Sequence, residues 1–380
     1  MTPTLSALAL YFLRLGAVGF GGPVVLVERM RHELHEVRGW YTAAEYKDGL
    51  ALSQLAPGPL AAQLAIYLGW VRAGVLGATV AGVAFVLPSF LMVLAISVAY
   101  MHFGGLRYMQ GAFYGIGAAV IAIVASSAWR FARKTVGRDL VLWGVVTVNA
   151  IVTAWSGRES IALIVASGVF VVLLRSAGER PAAAALFVPA WLVTGLHGPA
   201  SARALATVTG YFAQAGTVVF GSGLAIVPFL HGGTVQQLHW LTERQFLDAV
   251  AVSMITPGPV VITVAFIGYL VAGPLGACAA AVGVFLPPFL VVVLLARSFH
   301  RVAQNQRLRA AVDGVTAAAA GAIAGAVVVL GRRAIVDWPT VVMFVAALIA
   351  VRRLKWLPEP VMLVAAGVAG VLIRGGAVRP

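Results

Sequence analysis

Long apolar runs follow one another along most of the chain, with short polar stretches between them. They lie near residues 5–27, 46–71, 73–101, 111–130, 139–156, 160–174, 183–197, 204–230, 246–271, 273–296, 311–330, 337–351 and 357–373. A helix needs about 20 apolar residues to cross a membrane. Membrane-spanning strands would alternate with period two, and residues 80–100 show no alternation. The pattern predicts an all-α polytopic membrane protein, and it leaves the number of crossings open because several runs are short.

The composition also indicates a lipid environment. Hydrophobic residues make up 61% of the 380 positions and charged residues 11%, whereas soluble domains are about 25% charged. The net charge of +14 would suit nucleic acid, but the basic residues form short clusters between apolar runs, such as Arg352, Arg353 and Lys355. Such clusters anchor membrane loops at anionic headgroups. We therefore expect membrane lipid, and no nucleic acid, as a partner.

The second half of the chain repeats the first. Pro57-Gly58-Pro59 recurs 200 positions later as Pro257-Gly258-Pro259. Other pairs at this offset are Phe12/Phe212, Gly16/Gly216, Phe20/Phe220, Gly21/Gly221, Trp40/Trp240, Thr42/Thr242, Asp48/Asp248 and Ser53/Ser253. After one deletion the offset becomes 199, which pairs Ala73-Gly74 with Ala272-Gly273 and Pro88 with Pro287. Chance does not place two such tripeptides in one frame, so the chain is two fused copies of one unit.

The two copies are expected to cross the membrane in opposite directions. If every apolar run crosses, seven crossings precede the second copy, and an odd number produces inverted repeats. Inversion also results if the Pro-Gly-Pro segments dip in and return and residues 183–197 do not cross, although the two counts place the N-terminus on different sides. We divide the chain into a first repeat core (1–134), additional helices and the connection between halves (135–203), a second repeat core (204–335) and terminal helices of the second half (336–380).

Each Pro-Gly-Pro tripeptide interrupts an apolar run. Proline inside a helix removes a backbone donor and clashes with the preceding turn, and in lipid such breaks are tolerated where they are buried or line a wet cavity. A helix restarting at Pro59 directs its first amides and its positive dipole end at the break, which favours anion binding. Ser53, Gln54 and Gln63 add polarity here, as do Ser253, Thr256 and Thr263 in the second copy. The alternative is a kink that only shapes packing.

A glycine-rich break precedes each Pro-Gly-Pro. It contains Gly21, Gly22 and Pro23 in the first copy, and Gly221, Ser222 and Gly223 in the second. These glycines either let two helices approach closely or unwind the first helix beside the Pro-Gly-Pro turn. Because Pro23 disfavours helical geometry at Gly22, the sequence favours unwinding.

Three of the charged residues within apolar runs are candidates for function. Arg14 corresponds to Gln214 in the second copy, and an intramembrane arginine faces a partner or a cavity, or snorkels to the interface. Asp48 and Asp248 each lie nine residues before a Pro-Gly-Pro. They are candidates for proton coupling, and capping of the following helix is the alternative.

No enzyme constellation is recognisable. The seven histidines are scattered, and His32 and His35 lie among glutamates in a polar connection. The chain also has no Gly-x-x-x-x-Gly-Lys-Ser/Thr loop, so ATP does not drive this polypeptide directly. We expect a protein that is not an enzyme, with no cofactor and no metal.

Taken together, these motifs resemble the chromate ion transporter family, whose long-chain members fuse two homologous halves. The resemblance is carried by Phe20-Gly21-Gly22-Pro23, by Gln54-Leu55-Ala56-Pro57-Gly58-Pro59 with Gln63, and by Leu87-Pro88-Ser89. It implies a bacterial or archaeal plasma-membrane transporter that expels chromate, driven by the membrane potential or a proton gradient, and so confers chromate resistance. Family members often carry histidine where this chain has Leu26, which bears on the identity of the substrate.

We therefore expect alternating access around an oxyanion site between the two halves. The predicted substrate-binding residues are Arg14, Gly21, Gly22, Ser53, Gln54, Pro57, Gly58, Pro59, Gln63, Gly221, Ser222, Gly223, Ser253, Thr256, Pro257, Gly258, Pro259 and Thr263. The partner is chromate or a similar oxyanion such as sulfate. A sulfate transporter, a proton-coupled cation carrier and a homodimeric assembly remain alternatives.

Overall fold

A computed structural model describes residues 3–20, 22–103, 107–156, 161–175, 201–218, 223, 226–297, 306–354 and 357–375. Within these ranges the regular structure is helical, with fourteen α-helices and no strand. The all-α prediction is confirmed. The apolar run at 183–197 lies outside the described residues.

The two halves contain the same succession of elements. The first half has α1 (Leu5–Val18), α2 (Gly22–Met30) running into a π-helical segment (Arg31–Val37), α3 (Ala43–Leu55), α4 (Leu60–Phe103), α5 (Arg107–Val136), α6 (Leu140–Ser156) and α7 (Ile161–Arg175). The second half has α8 (Ala202–Val218), α9 (Ile226–His231), a π-helical segment (Gly232–Gln237), α10 (Glu243–Ile255), a 3₁₀ turn (Val260–Ile262), α11 (Thr263–Ala296), α12 (Gln306–Ala334), α13 (Trp338–Arg353) and α14 (Glu359–Gly375).

The backbone repeats in detail where the sequence repeats. Helix α4 bends at Gly74, with φ 57° and ψ −141°, and α11 bends at Gly273, with φ 63° and ψ −156°. Thr42 and Thr242 cap α3 and α10, each within a reciprocal capping box. Two fused copies of one unit are thus present in the fold.

Each bend turns the long helix back on itself. A Cβ on Gly77 would overlap the carbonyl oxygen of Gly69, so the two sides of the bend pack in antiparallel contact. We call residues 60–72 the first limb of α4 and residues 75–103 its second limb. The equivalent contact in α11 joins Gly268 and Gly276. Small residues allow this close approach in lipid.

The first limb of α4 also packs antiparallel to α3. We call α3 and this limb the first hairpin. At its open end Arg72 pairs with Glu45 at 3.1 Å, and the Tyr41 hydroxyl donates to the Leu68 carbonyl at 2.8 Å. Residues 57–59 form its tip. Helix α10, the 3₁₀ turn and residues 263–271 make the second hairpin, with residues 257–259 at the tip.

These hairpins are too short to cross a bilayer. Thirteen residues of α3 or α10 extend about 20 Å, against a hydrocarbon core of about 30 Å. Among the described residues, four helices are long and apolar enough to cross a membrane: Leu60–Phe103, Tyr108–Val136, Val260–Ala296 and Ala310–Ala334. In the first and third of these, the bend leaves the second limb as the crossing part.

Helix α1 also ends early and turns back, so residues 5–27 are not one continuous helix. It stops at Val18, and α2 starts at Gly22. The guanidinium of Arg38, which lies beyond α2, stacks over the ring of Tyr11 in α1, 5.5 Å from its centroid. Glycines flank the turn, and the position of Pro23 near the start of α2 needs no helical donor.

The second limb of α4 shows that the two hairpins enter from opposite sides. It leaves the base of the first hairpin at the bend next to Gly74. Farther along, Ser89 meets Gly258 at the tip of the second hairpin, and near the end Tyr100 meets Asp248, toward the base of that hairpin. The limb runs from one base to the other, so the hairpins point at each other as inverted repeats.

The outer helices of each half pack on a helix of the other half. Helices α6 and α7 of the first half pack on α12 of the second, and α13 and α14 of the second half pack on α5 of the first. Arg175 at the end of α7 pairs with Asp139 at 2.6 Å and with Asp313 of α12 at 2.7 Å. The Leu142 amide and the Arg175 guanidinium hold the pKa of Asp139 below its usual range. The halves are therefore interlocked at their periphery.

Candidate functional site

Each hairpin tip packs against a helix of the opposite half. A Cβ on Gly58 would lie 2.6 Å from Cβ of Pro288, in the second limb of α11, which is residues 274–296 after the bend at Gly273. In the second half, a Cβ on Gly258 would overlap the Ser89 hydroxyl in the second limb of α4. Ser89 and Pro288 are equivalent at the offset of 199. Each tip therefore inserts against the same position in the opposite half.

The second tip also contacts the end of α1. The amide of Gly258 donates to the carbonyl oxygen of Gly19 at 3.0 Å, and the Ser89 hydroxyl lies 3.4 Å from the carbonyl oxygen of Gly16. The broken first helix and the opposite Pro-Gly-Pro thus share one site. The first-half residue Gly21 and the second-half residues Gly221 and Ser222 lie outside the described residues.

The backbone of each hairpin tip requires glycine at its central position. Gly58 has φ 137° and Gly258 has φ 102°, values that side chains with a Cβ rarely adopt. The flanking prolines fix the backbone on either side. The tips are therefore rigid, and their close fit leaves no room for a side chain at either glycine.

Unpaired amides follow the first tip. The hydrogen bonds of the described residues include no acceptor for the amides of Leu60, Ala61 and Ala62, and the next amide, that of Gln63, returns to the Pro59 carbonyl at 3.0 Å. All four residues are buried. The start of α4 is thus a buried helix N-terminus with free donors and a positive dipole end. After the second tip, the 3₁₀ turn uses one such donor, since Ile262 bonds to the Pro259 carbonyl.

Gln63 lies fully buried beneath the first tip. Its Nε2 donates to the Pro57 carbonyl at 2.7 Å, which fixes the orientation of the amide. Its Oε1 is buried with no hydrogen-bond partner among the described residues. An unsatisfied buried acceptor is costly, so this oxygen is suited to a water or to a ligand that carries a proton.

The predicted hydroxyl residues already donate within their own helices. Ser53 bonds to Gly49, Ser253 to Val250, Thr256 to Val252 and Thr263 to Val260, at 2.7–3.0 Å. They present lone pairs, and an anion requires donors. Hydroxyl rotation would be needed before these side chains could bind an oxyanion.

The remaining predicted residues are dispersed. Gln54 is exposed on α3, and Gly22 begins α2. Gly223 is buried, and a Cβ there would lie 3.5 Å from Val260 beside the second tip. Arg14 is exposed on α1 and pairs with none of the described acidic side chains.

Capping is not the role of Asp48 or Asp248, because Thr42 and Thr242 cap those helices. Asp48 is half-buried. Asp248 is only 4% exposed and accepts a hydrogen bond from Tyr100 at 2.7 Å. Proton coupling by these residues stays a prediction.

Sequence reasoning did not place Gly19, Ser89, Pro288 or Tyr100 in the site. A signal existed for two of them, since Ser89 and Pro288 directly follow the repeated prolines Pro88 and Pro287. Gly19 and Tyr100 have no identical counterpart in the second copy, which has valine and phenylalanine at those positions. Their roles depend on packing between the halves.

Comparison with known proteins gives a consistent result. The profile described as "Chromate transporter" matches residues 6–172 and 206–371. The chain is 52% identical to the "Chromate transport protein" of Cupriavidus metallidurans, covering 98% of this chain and 94% of that protein. It is 50% identical to the "Probable chromate transport protein" of Synechococcus elongatus (97% and 95%) and 32% identical to the "Chromate transport protein" of Pseudomonas aeruginosa (95% and 91%). No solved structure matches the chain significantly.

Proposed function

This chain belongs to the chromate transporter family, and from that premise we propose that it is a secondary transporter that moves chromate out of the cell across the plasma membrane. The names of the relatives support chromate as the substrate. The multi-pass helical fold supports transport, and the sequence offers no catalytic constellation. The observation that carries the proposal is that two oppositely directed hairpin tips each pack against a helix of the opposite half.

Chromate would bind at the tips. It is a tetrahedral dianion, and moving it unaided through hydrocarbon costs tens of kcal/mol. The free amides of Leu60, Ala61 and Ala62 offer charge-assisted hydrogen bonds worth about 1.5–3 kcal/mol each. Rotated hydroxyls of the second tip, such as that of Thr256, would add donors. The sum offsets part of the cost and still permits release.

The inverted hairpins support alternating access as the mechanism of transport. Each second limb touches the tip of the opposite hairpin, so rocking one half against the other opens the site to one side and closes it to the other. An inside-negative potential favours outward movement by about 2.3 kcal/mol per charge per 100 mV. Asp48 and Asp248 are the candidates for coupling this movement to protons.

Sulfate is the main alternative substrate, because a cage of amides recognises tetrahedral shape and charge. The test is a flux assay with the purified full chain in proteoliposomes, which compares labelled chromate, sulfate and a monovalent cation. We expect potential-driven chromate uptake well above that of empty liposomes, and lower chromate accumulation in cells that express the chain. Sulfate flux without chromate flux, or cation flux alone, would contradict the proposal.

A further inference from the structure

One buried polar atom beside the first tip has no partner. Gln63 is fully buried, and its Oε1 has no hydrogen-bond partner among the described residues. Its Nε2 lies 2.7 Å from the carbonyl oxygen of Pro57. Because a carbonyl oxygen can only accept a hydrogen bond, the nitrogen of the amide faces Pro57 and the oxygen takes the other position. The orientation of the amide is therefore fixed, and Oε1 is an acceptor that lacks a donor.

This acceptor lies at the same break as the free amides. Gln63 belongs to the first turn of α4, and its side chain reaches back to Pro57, before the helix begins. The amides of Leu60, Ala61 and Ala62, which have no acceptor among the described residues, face the same break. An oxyanion without a hydrogen satisfies these donors but directs lone pairs at Oε1. An oxyanion with one O–H group satisfies the donors and the acceptor together.

In the second tip the equivalent group already has a partner. Thr263 occupies the position of Gln63, and its hydroxyl donates to the Val260 carbonyl at 2.7 Å. Among the described residues of the two tips, the unsatisfied acceptor is therefore confined to the first. A ligand with one O–H group would direct it there.

The surroundings of the tips are uncharged. The sequence has no Asp, Glu, Lys, Arg or His in residues 49–71, 75–101, 249–271 or 274–296, which form the tips and the limbs that touch them. Arg14, on the helix that ends beside the second tip, is exposed. The cost of taking an ion out of water rises with the square of its charge, so a monoanion costs about a quarter as much as a dianion of the same size. A site built from neutral donors thus favours a singly charged ligand.

The titratable groups nearest to Gln63 do not change the charge at the tip. Tyr67 lies one turn farther along the first limb, and its phenol is neutral at physiological pH. Lys47 and Asp48 on α3, and Asp248 on α10, lie nine or more residues before the tips, toward the bases of the hairpins. A proton bound at the first tip therefore belongs to the ligand.

We propose that the transporter carries chromate in its singly protonated form, hydrogen chromate, and that Gln63 selects this form by accepting a hydrogen bond from its hydroxyl. The inference rests on the proposed function of chromate transport. Chromate gains a proton close to neutral pH, whereas sulfate and selenate, which are tetrahedral dianions of similar size, gain one only in strong acid. The proton joins a chromate oxygen in water before binding and leaves it in water after release. Gln63 thus gives an amide cage the means to separate chromate from sulfate.

The first test compares chromate with selenate, which matches its shape but stays a dianion. Initial uptake rates by the purified full chain in proteoliposomes are measured at micromolar total anion and a fixed membrane potential, from mildly alkaline to mildly acidic pH. We expect chromate uptake to rise as the pH falls, by about tenfold per unit on the alkaline side of its titration. The lumen acidifies as imported hydrogen chromate dissociates. Selenate uptake is independent of pH and, at mildly acidic pH, at least tenfold slower.

Gln63→Met removes the acceptor and keeps a side chain of similar length. Loss of the bond to Pro57 alone would lower the chromate and selenate rates together, so the readout is the ratio of the two rates. We expect this ratio to fall at least tenfold, toward equal rates. Gln214→Met, the same change at an exposed position of α8, keeps the wild-type ratio. The wild-type pH profile keeps the inference testable if Gln63→Met fails to assemble.

The outcomes separate the two proposals. A wild type that carries chromate and selenate equally, or carries chromate at a rate independent of pH, overturns this inference and leaves the proposed function standing. Chromate and selenate rates that depend on pH in the same way assign the proton to the protein, and an unchanged ratio in Gln63→Met removes Gln63 from the selection. Either result also overturns the inference. A wild type that moves no chromate contradicts the proposed function itself.

Discussion

At the scale of single residues, the first tip depends on a few groups whose conformation is fixed. Gly58 takes a backbone conformation that other residues avoid. Gln63 satisfies the Pro57 carbonyl with one end of its amide and leaves the other end unpaired and buried. The donors at this tip are instead the amides of Leu60, Ala61 and Ala62, which have no acceptor among the described residues. Fixed donors bind an anion without reorganising, which makes this tip suited to an oxyanion.

Gln63→Glu tests the charge requirement of the site. The variant places a carboxylate beneath the tip, next to a negatively charged substrate. We expect the initial rate of chromate uptake, normalised to the amount of protein in the membrane, to fall at least tenfold, which corresponds to about 1.4 kcal/mol. The assay is uptake by proteoliposomes, with size-exclusion chromatography to check folding.

The matched control is Gln245→Glu. This substitution adds the same charge at the third position of α10, where the first half carries Glu45 in an equivalent capping box. It should transport like the wild type. If Gln63→Glu transports within twofold of the wild type, the substrate does not pass this residue.

At the scale of elements, the bends of α4 and α11 are stabilised by small residues where two backbones touch. Gly69 packs on Gly77 in α4, and Gly268 packs on Gly276 in α11. Side chains at these positions would separate the limbs. The contact fixes the direction in which each second limb leaves the bend, and so fixes where it meets the opposite tip.

Gly77→Ala is expected to lower the thermal midpoint of the detergent-solubilised protein by several degrees. The new methyl group would overlap the Gly69 carbonyl, and overpacking of this kind costs about 1–3 kcal/mol. The comparison is Gly144→Ala on α6, where a Cβ meets nothing within 4 Å. There the substitution should stabilise slightly, because alanine loses less entropy on folding. Equal midpoints for the two variants would contradict close limb packing.

Much of the element structure was predictable from local patterns. Apolar runs predicted the helices. The sequence also separates the runs 46–71 and 73–101 at the repeated Ala-Gly, which is where α4 bends. The sequence favoured a break after α1, and it left re-entrant Pro-Gly-Pro segments as one of two alternatives. It could not choose between them, because hydrophobic periodicity does not indicate where a helix turns back. Within the candidate site, the tip tripeptides were evident from the repeat. The Tyr100 partner of Asp248 was not, since 148 residues separate them and the contact exists only once the halves pack.

At the scale of the whole molecule, the two inverted copies are held together at two places, the centre and the periphery. Each hairpin tip packs against the long helix of the opposite half, and the outer helices of each half pack on a helix of the other. In the proposed transport cycle, the periphery would keep the halves together while the central contacts break and re-form. The arrangement suits rocking around one central site, and our proposal puts the substrate where the hairpin tips meet the opposite halves.

That junction is tested most directly by equilibrium binding of labelled chromate to the purified chain in detergent, with Gly258→Ala compared against Gly74→Ala. Both glycines have positive φ, but a Cβ at Gly258 would overlap Ser89 across the halves, whereas a Cβ at Gly74 meets nothing within 4 Å. Backbone strain is thus common to both variants, and only Gly258→Ala disturbs the junction. We predict that Gly258→Ala binds chromate at least tenfold more weakly than the wild type, a loss of about 1.4 kcal/mol, while Gly74→Ala binds like the wild type. Wild-type affinity in Gly258→Ala would contradict a chromate site at the tips.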